Sequence, residues 1–470
     1  MKKYITTPIY YVNDKPHIGH AYTTLIADVY ARYYRKQFGS DSVFFLTGTD
    51  EHGSKVAKAA EDHGISPKAY SDLISGEYKK VWQSLNISYD EFIRTTDPKH
   101  ENVVQTYLQN LFEKGFIYKG VYKGLYCIGC EKFLSYDEIV NNTCIFHPNI
   151  KITEQEEENY FFNLKKFSLV VLKEIEEGSY KILPEQKKNE IVGKIKQGIN
   201  DISISRVGVE WGIPLPWDTK HTVYVWVDAL LNYYSATKIF TGRDKFWPPN
   251  IQFIAKDILW FHGLIWEALL LAENLKLPEI IYAHGFFTIN GQKMSKTLGN
   301  VINPNDLIGE YGVDGARYLL LTSCSFGADG DISLGRFKEK FNADLANGLG
   351  NLIARIAKLC EKFDQIPVNF DFIKNNKNFS IDEHMSMFKP DDAVKSIWSS
   401  IAEFNQDFNK DKPWELTDKL LKNKLTTYIE RILKIGDDLG PFLPFTSLKI
   451  IEIFSSKNIQ KPESLFSRKE

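Results

Sequence analysis

Over its first 115 residues the chain switches repeatedly between short apolar runs and helical stripes. Tyr4 to Val12 is a run of strand-forming residues closed by the turn-rich tetrad Asn13-Asp14-Lys15-Pro16. A stripe of Tyr22, Leu25, Ile26, Val29 and Tyr33 follows at helical spacing. Val43-Phe44-Phe45-Leu46-Thr47 reads as a second buried strand, ending in Gly48-Thr49-Asp50-Glu51-His52-Gly53. Ser66-Pro67 and Asp97-Pro98 each pair a capping side chain with a residue suited to the first helical turn. They predict helices reaching Leu85 and Gly115. This alternation implies an α/β fold with a doubly wound parallel sheet, whose ligands bind at the carboxyl ends of the strands.

From residue 116 the pattern changes. Tyr118 to Tyr126 reads as strands and turns, and the acidic run Glu154 to Glu158 as a solvated loop. Alternation resumes with Thr222 to Ala229, the strand Ile251 to Ala255, an aromatic helix starting at Lys256-Asp257-Ile258-Leu259-Trp260-Phe261-His262, and the strand Ile280 to Ala283. The region 116–221 is therefore expected to be an insertion between two sheet halves, 1–115 and 222–290. Phe286 to Ile289 leads to Asn290-Gly291, a strong hairpin signal, which opens the region 291–345. Beyond 345 the strand patterns stop. Asp344 to Lys362, Asp392 to Phe408, Trp414 to Leu433 and Phe442 to Phe454 carry apolar stripes, predicting an α-bundle over 346–470 with its longest loop at Asp371 to Lys389.

The chain's 470 residues suit two to four domains. The longest apolar stretch, Ile258 to Leu275, is broken by His262, Glu267 and Glu273, which argues against a membrane span, and no N-terminal signal is visible. A cytoplasmic protein is expected. A formal charge of −2 excludes indiscriminate coating of nucleic acid but leaves room for a basic face. Three of the five cysteines fall in Cys127-Ile128-Gly129-Cys130 and Cys144-Ile145-Phe146-His147. Thiolates and an imidazole at that spacing can close a tetrahedron around one Zn²⁺, leaving no open position, so a structural ion is expected. Cys324 and Cys360 read as small buried hydrophobes.

Candidate chemistry sits in two distant stretches. His17-Ile18-Gly19-His20 lies where a strand hands over to a helix N-terminus, a site that attracts anions. Two imidazoles add donors, and Gly19 lets a ligand approach the backbone. Far downstream, Gly291-Gln292-Lys293-Met294-Ser295-Lys296-Thr297 puts two lysines three apart on a loop. Together these stretches resemble the HIGH and KMSKS signatures of the class I aminoacyl-tRNA synthetases, with Thr297 in place of a final serine. The likeness extends over nearly the whole chain. Pro8 to His20, Gly48 to Gly53, the cysteine–histidine knuckle, Tyr224 to Ala229, Lys256 to His262, Lys293 to Thr297, Asn351 to Arg355 and Pro413-Trp414 resemble the compact, single-zinc methionyl branch of that class. The insertion leaves no room for a large editing domain beside its knuckle.

The resemblance implies a Rossmann-type catalytic domain that activates L-methionine with ATP and Mg²⁺, then charges methionine tRNA, initiator and elongator. It implies His17, His20, Lys293 and Lys296 as catalytic residues. Gly19, Asp257, Arg206 and Thr297 would join His17, His20 and Lys296 in binding ATP. Methionine would lie among Ile9, Tyr11, Asp50, Trp226, Ala229, Tyr233, Ile258, Phe261 and His262, with Asp50 on its ammonium. Cys127, Cys130, Cys144 and His147 would hold zinc; Asn351, Arg355 and Trp414 would read the anticodon. A monomer is expected. Two rivals remain: a non-enzymatic zinc-knuckle RNA-binding protein, which has no use for the paired histidines and lysines, and a tRNA-independent adenylyl-transferring ligase, which leaves the helical third unexplained.

Overall fold

The computed structural model describes residues 1–129, 132–134, 139–289, 291–294, 299–368 and 381–470, with backbone alone for Tyr122, Lys123, Lys132, Phe133, Gln155 and Lys293. The polypeptide starts with strand β1 (Lys3–Tyr11), helix α1 (Ile18–Phe38) and strand β2 (Val43–Asp50). Helix α2 (Pro67–Ser84) follows, capped by Ser66, whose Oγ accepts the Ala69 N–H at 3.2 Å. Next come strand β3 (Glu91–Arg94) and helix α3 (Pro98–Glu113), whose Asp97 cap accepts the Lys99 N–H at 2.9 Å. Both caps fall where a short polar side chain precedes proline, because the first helical N–H groups have no partner within the helix.

Six parallel strands form the central sheet. Its order is β4 (Lys181–Leu183), β6 (Ile280–His284), β5 (Ile251–Ala255), β1, β2, β3. The strand order reverses between β1 and β5, so the crevice beyond their carboxyl ends is where a ligand fits. Both faces of the sheet are covered. Along β1 and β2, Ile5, Val43 and Phe45 point into one core, while Tyr4, Phe44 and Leu46 point into the other. Such strands read as unbroken apolar runs rather than alternating ones.

Between Ile117 and Phe162 lies a long antiparallel ribbon, Ile117–Cys127 against Thr153–Phe162. The acidic run Glu154 to Glu158 is therefore strand, not the loop expected. The ribbon is solvated there, and like-charged residues find cross-strand cations: Glu158 meets Lys119 at 2.6 Å. Lys181–Leu183, within the expected insertion, pairs with Ile280–Tyr282 and edges the central sheet. Three residues are too few to show a period.

Helix α4 (Val225–Ile239) packs on the sheet, and helix α5 (Pro304–Leu321) packs on α1. After it, a wide π-helical stretch, Phe341–Gly350, runs into α6 (Asn351–Cys360). Helices α7 (Pro390–Asp411), α8 (Asp418–Leu439) and α9 (Pro444–Ser455) complete the bundle. Residues 371–380 of the expected loop lie outside the described residues, and Asp382–Ser386 within it forms a short helix. Of the two lone cysteines, Cys360 is fully buried and Cys324 only partly, against the Tyr22 hydroxyl at 3.7 Å.

One side chain joins the bundle to the sheet. Arg317 on α5 is fully buried and meets Asp28 of α1 at 2.8 Å. It also donates to the carbonyls of Leu85, Pro441 and Phe442. A buried guanidinium is tolerated when its donors find a carboxylate and carbonyls in this way. Helix α1 is buried on nearly all sides over Ala21 to Ala31, and its N-terminus lies at the crevice.

Candidate active site

The crevice opens into a cavity of about 450 Å³ at the carboxyl ends of β1, β2, β5 and β6. His17 caps α1: its Nδ1 accepts the Gly19 N–H at 3.0 Å, and His20 Nδ1 accepts the His17 N–H at 3.3 Å. The rings stack with centroids 3.8 Å apart. Burial lowers the pKa of both, well below the usual value for His20, where the neighbouring His17 adds to the effect; Asp14 opposes it at His17. Each ring is thus neutral near pH 7. With Nδ1 accepting a backbone N–H, each keeps its proton on Nε2 as a donor. Gly19 is required here, because a Cβ would stand 2.9 Å from the His17 ring.

The lysine stretch reaches the same crevice. Phe287–Ile289 pairs antiparallel with Gln292–Lys293 across the expected hairpin. Met294 lines the cavity, its Cε 3.5 Å from where a Cβ on Gly19 would lie. On the far side of the loop, Ile302 accepts the Ile18 N–H at 3.1 Å. Lys296 and Thr297 lie outside the described residues, as does Cys130, and Lys293 is described in its backbone alone. The loop is nonetheless tied at both ends to the histidine tetrad.

Asp50 ends β2 and faces the cavity with its Oδ1 unpartnered. The turn after it is clamped through Glu51, which is fully buried and takes both forks of Arg94, at 2.6 and 2.8 Å. Trp211 Nε1 donates to the Glu51 carbonyl at 2.6 Å. Gly53 closes the turn at φ +104, where a Cβ would meet the Tyr11 hydroxyl at 2.8 Å.

Ile9, Tyr11, Trp226, Ala229, Tyr233, Ile258 and His262 all line the cavity. Phe261 stacks flat on Trp226, centroids 3.9 Å apart and rings inclined by 6°. The aromatic helix expected from Lys256 has a tight turn at Lys256–Ile258 and then a wide π segment, Phe261–Trp266. That wide turn sets His262 facing Tyr233. His262 Nδ1 donates to the Ile258 carbonyl at 3.0 Å, so Nε2 accepts the Tyr233 hydroxyl at 2.8 Å. Burial drives the His262 pKa down to about 4, leaving the ring neutral.

Arg206 lines the cavity, stacks 4.0 Å over the Tyr224 ring, and donates to Ser203 Oγ and the Ser205 carbonyl. Asp257 lines it too. Sequence reasoning missed His284 and Thr23, both in the wall. Thr23 Oγ1 lies 2.7 Å from His284 Nε2, and His284 Nδ1 donates to the Gly285 carbonyl. An isolated histidine at a strand end carries no distinguishing pattern.

Two further groups lie away from the crevice. Ligand atoms of Cys127, Cys144 and His147 lie within 4.8 Å of one another, a donor set suited to a soft or borderline metal ion. Among the described residues, Cys127, Leu134, Cys144 and Ile152 form the buried local core. In the bundle, Trp414 is 49% exposed beside a short turn. The Arg355 guanidinium lies 4.6 Å over Phe408 and 5.7 Å from the Trp414 ring, and Asn351 is exposed one turn earlier.

Comparison with known proteins agrees with this geometry. The family described as "tRNA synthetases class I (M)" matches residues 3–152 and 137–357. The methionine–tRNA ligase of Caldanaerobacter subterraneus is 41% identical, covering 96% of this chain and 74% of that relative. That of Thermotoga maritima is 40% identical over 99% of this chain and 77% of its own. Among solved structures, Mycobacterium tuberculosis methionyl-tRNA synthetase in complex with methionyl-adenylate superposes with a TM-score of 0.89 at 31% identity, covering 100% of this chain and 99% of that one.

Proposed function

Because the chain belongs to the methionine–tRNA ligases of class I, and so ligates methionine to its tRNA, we propose that the crevice between β1 and β5 performs the chemistry with the residues just described. What supports this division of labour is one observation. The paired histidines meet the lysine loop at Ile18 and Gly19, which contact Ile302 and Met294, beside a cavity also lined by Asp50 and the Tyr233–His262 pair.

In the first step the methionine carboxylate attacks the α-phosphorus of ATP, and pyrophosphate leaves. Charge builds on phosphoryl oxygens, so positioned donors and cations lower the barrier. His17 and His20 donate from Nε2 at the N-terminus of α1, beside Gly19. Lys293 and Lys296 supply positive charge from the loop, with Thr297, and Arg206 and Asp257 hold the nucleotide from the opposite wall. Mg²⁺ arrives on the ATP phosphates, where it would neutralise charge without a dedicated protein cage. Asp50 binds the ammonium. Trp226, Phe261, Ile9, Tyr11, Ala229 and Ile258 enclose the thioether, whose sulfur gains ~0.3–1.5 kcal/mol from each aromatic contact. In the second step the terminal ribose 2′-OH of tRNA attacks the adenylate. ATP–pyrophosphate exchange tested across the amino acids should respond to methionine and, more weakly, to homocysteine, since a pocket discriminates one methyl by only ~1–3 kcal/mol. Absence of methionine-dependent exchange would sink the reading.

The helical region 346–470 reads the anticodon. Trp414 offers an open indole face next to Arg355 and Asn351. Stacking one base is worth ~1–3 kcal/mol, so Trp414→Ala should lower kcat/KM for tRNA charging by about 10–100-fold while leaving pyrophosphate exchange intact. Equal charging by the variant would remove this assignment.

Cys127, Cys144 and His147, with Cys130 as fourth donor, would hold one Zn²⁺ as a structural ion. Its binding, ~10–16 kcal/mol in zinc-finger peptides, would add to the small core described there. Cys144→Ser should release the bound zinc and expose residues 127–152 to proteolysis and hydrogen exchange, with the sheet unaffected. Unchanged protection there would rule out a metal-held knuckle. The resemblance further implies a cytoplasmic monomer serving initiator and elongator methionine tRNAs. No helix among the described residues is long and apolar enough to cross a membrane.

A further inference from the structure

Behind the amine end of the methionine pocket runs a chain of buried polar groups with no role in the scheme above. Asp228, on α4, is 1% exposed and faces two imidazoles, His52 Nδ1 on Oδ2 and His100 Nε2 on Oδ1, each at 2.7 Å. Ser235 Oγ lies 2.6 Å from His100 Nδ1, and Glu101 Oε1 lies 3.5 Å from His52 Nε2. The chain thus links the turn after β2, the first turn of α3 and helix α4. Trp211 covers the His52 ring at 5.4 Å. His52 is two residues from Asp50, and its backbone N–H donates to the Asp50 carboxylate.

This arrangement solves an electrostatic conflict. Asp50 must be an anion to bind an ammonium, yet it is buried and faces Asp228 from α4 and Glu51 from its own turn. Burial first, then those two carboxylates, push its pKa well up, and only His52 opposes them. Glu51 is already taken by Arg94. Arg206 stands across the cavity. His52 itself is held between Asp228 and Glu101. Burial works against its charge, but Asp228, Glu101 and Asp50 lift its pKa to about 10. An imidazolium therefore sits among three carboxylates at neutral pH.

We propose that His52 is a positioning residue for the substrate's ammonium: anchored by Asp228 and Glu101, it supplies the positive charge that keeps the Asp50 carboxylate available to the amine. Asp228 and His100 act through it, fixing the ring's orientation. This rests on the assignment of Asp50 to the ammonium, and the test separates the two.

The test measures methionine KM by pyrophosphate exchange, together with inhibition by 4-(methylthio)butanoate, which keeps the thioether and carboxylate but has no amine. His52→Gln should raise the methionine KM by about 10–100-fold, with kcat and the ATP KM within about threefold. Its inhibition constant for the desamino analogue should stay within about twofold, because that ligand never meets Asp50's charge. The acid limb of kcat/KM for methionine should move to higher pH, since Asp50 loses the cation that favours its ionised form. Adding Asp228→Asn to His52→Gln should restore most of the methionine affinity, since it removes the carboxylate that most opposes ionisation of Asp50.

A purely structural role would weaken methionine and the desamino analogue together, and that result overturns the proposal. So does an unchanged methionine KM in His52→Gln when Asp50→Asn raises it. An unchanged KM in Asp50→Asn would instead overturn the underlying assignment. Should His52→Gln fail to fold, nitrogen-15 histidine spectra of the unaltered enzyme decide the matter. An imidazolium persisting at His52 through pH 8 supports the proposal, and a neutral ring at pH 7 overturns it.

Discussion

Replacing His17 by alanine should slow methionine-dependent pyrophosphate exchange by about 10²–10³-fold, the loss typical of removing one preorganised donor from a developing oxyanion. The argument starts from hydrogen bonds the imidazoles already make. His17 Nδ1 is occupied by the Gly19 N–H, so the remaining proton is on Nε2, at the mouth of the α1 N-terminus. Burial keeps the ring uncharged near pH 7, so it acts by directed donation and not as a cation. Two consequences can be measured. The rate should hold steady as pH rises through 7, because the neutral donor form persists, and fall only on acidification below the depressed pKa, when Nδ1 gains a proton and releases Gly19. His17 is also the helix cap, whose loss costs about 0.5–2 kcal/mol. His17→Ser, which can cap but cannot reach the phosphates, should recover thermal stability without recovering exchange. Exchange within threefold of the unaltered enzyme in both variants would refute the role.

Lys296→Ala should be of similar size, about 10²–10³-fold in activation rate, with methionine affinity nearly unchanged. Since both imidazoles are neutral, positive charge on the leaving pyrophosphate must come from elsewhere in the crevice. Lys296 itself lies outside the described residues; of the residues that flank its loop, Met294 packs over Gly19, and the Ile302 carbonyl accepts the Ile18 N–H at 3.1 Å. Under the proposed assignment methionine would sit against Asp50 and Tyr233, which is why its affinity should survive. Single-turnover adenylation with a separate methionine titration checks both halves. A fall in methionine affinity matching the fall in rate would place the lysine in the wrong subsite.

Much of this site was legible before any coordinates, where local chemistry dictates local structure. Ser66, Asp97 and Asn290-Gly291 announce their caps and hairpin because unpaired N–H groups and backbone turns have few solutions. The stripe Tyr22, Leu25, Ile26, Val29 and Tyr33 is buried as its spacing requires. Other features left no such mark. Glu154 to Glu158 reads as a loop because a ribbon solvated at that point needs no apolar alternation. Lys181–Leu183 is too short to show a period. The π turn at Phe261–Trp266 keeps the composition of an ordinary apolar helix, and only packing reveals its width.

What the sequence determined alone was therefore what neighbours carry: the strand-to-helix junction at His17 and the helix caps at Ser66 and Asp97. Tertiary structure alone decided which distant groups share a field. His52, Asp228 and His100 are unremarkable in a list of residues. They become a hydrogen-bonded chain only when a turn, a helix start and a second helix bury them together, because in a low-dielectric interior a polar group is governed by what lies within a few ångströms and not by its place along the chain.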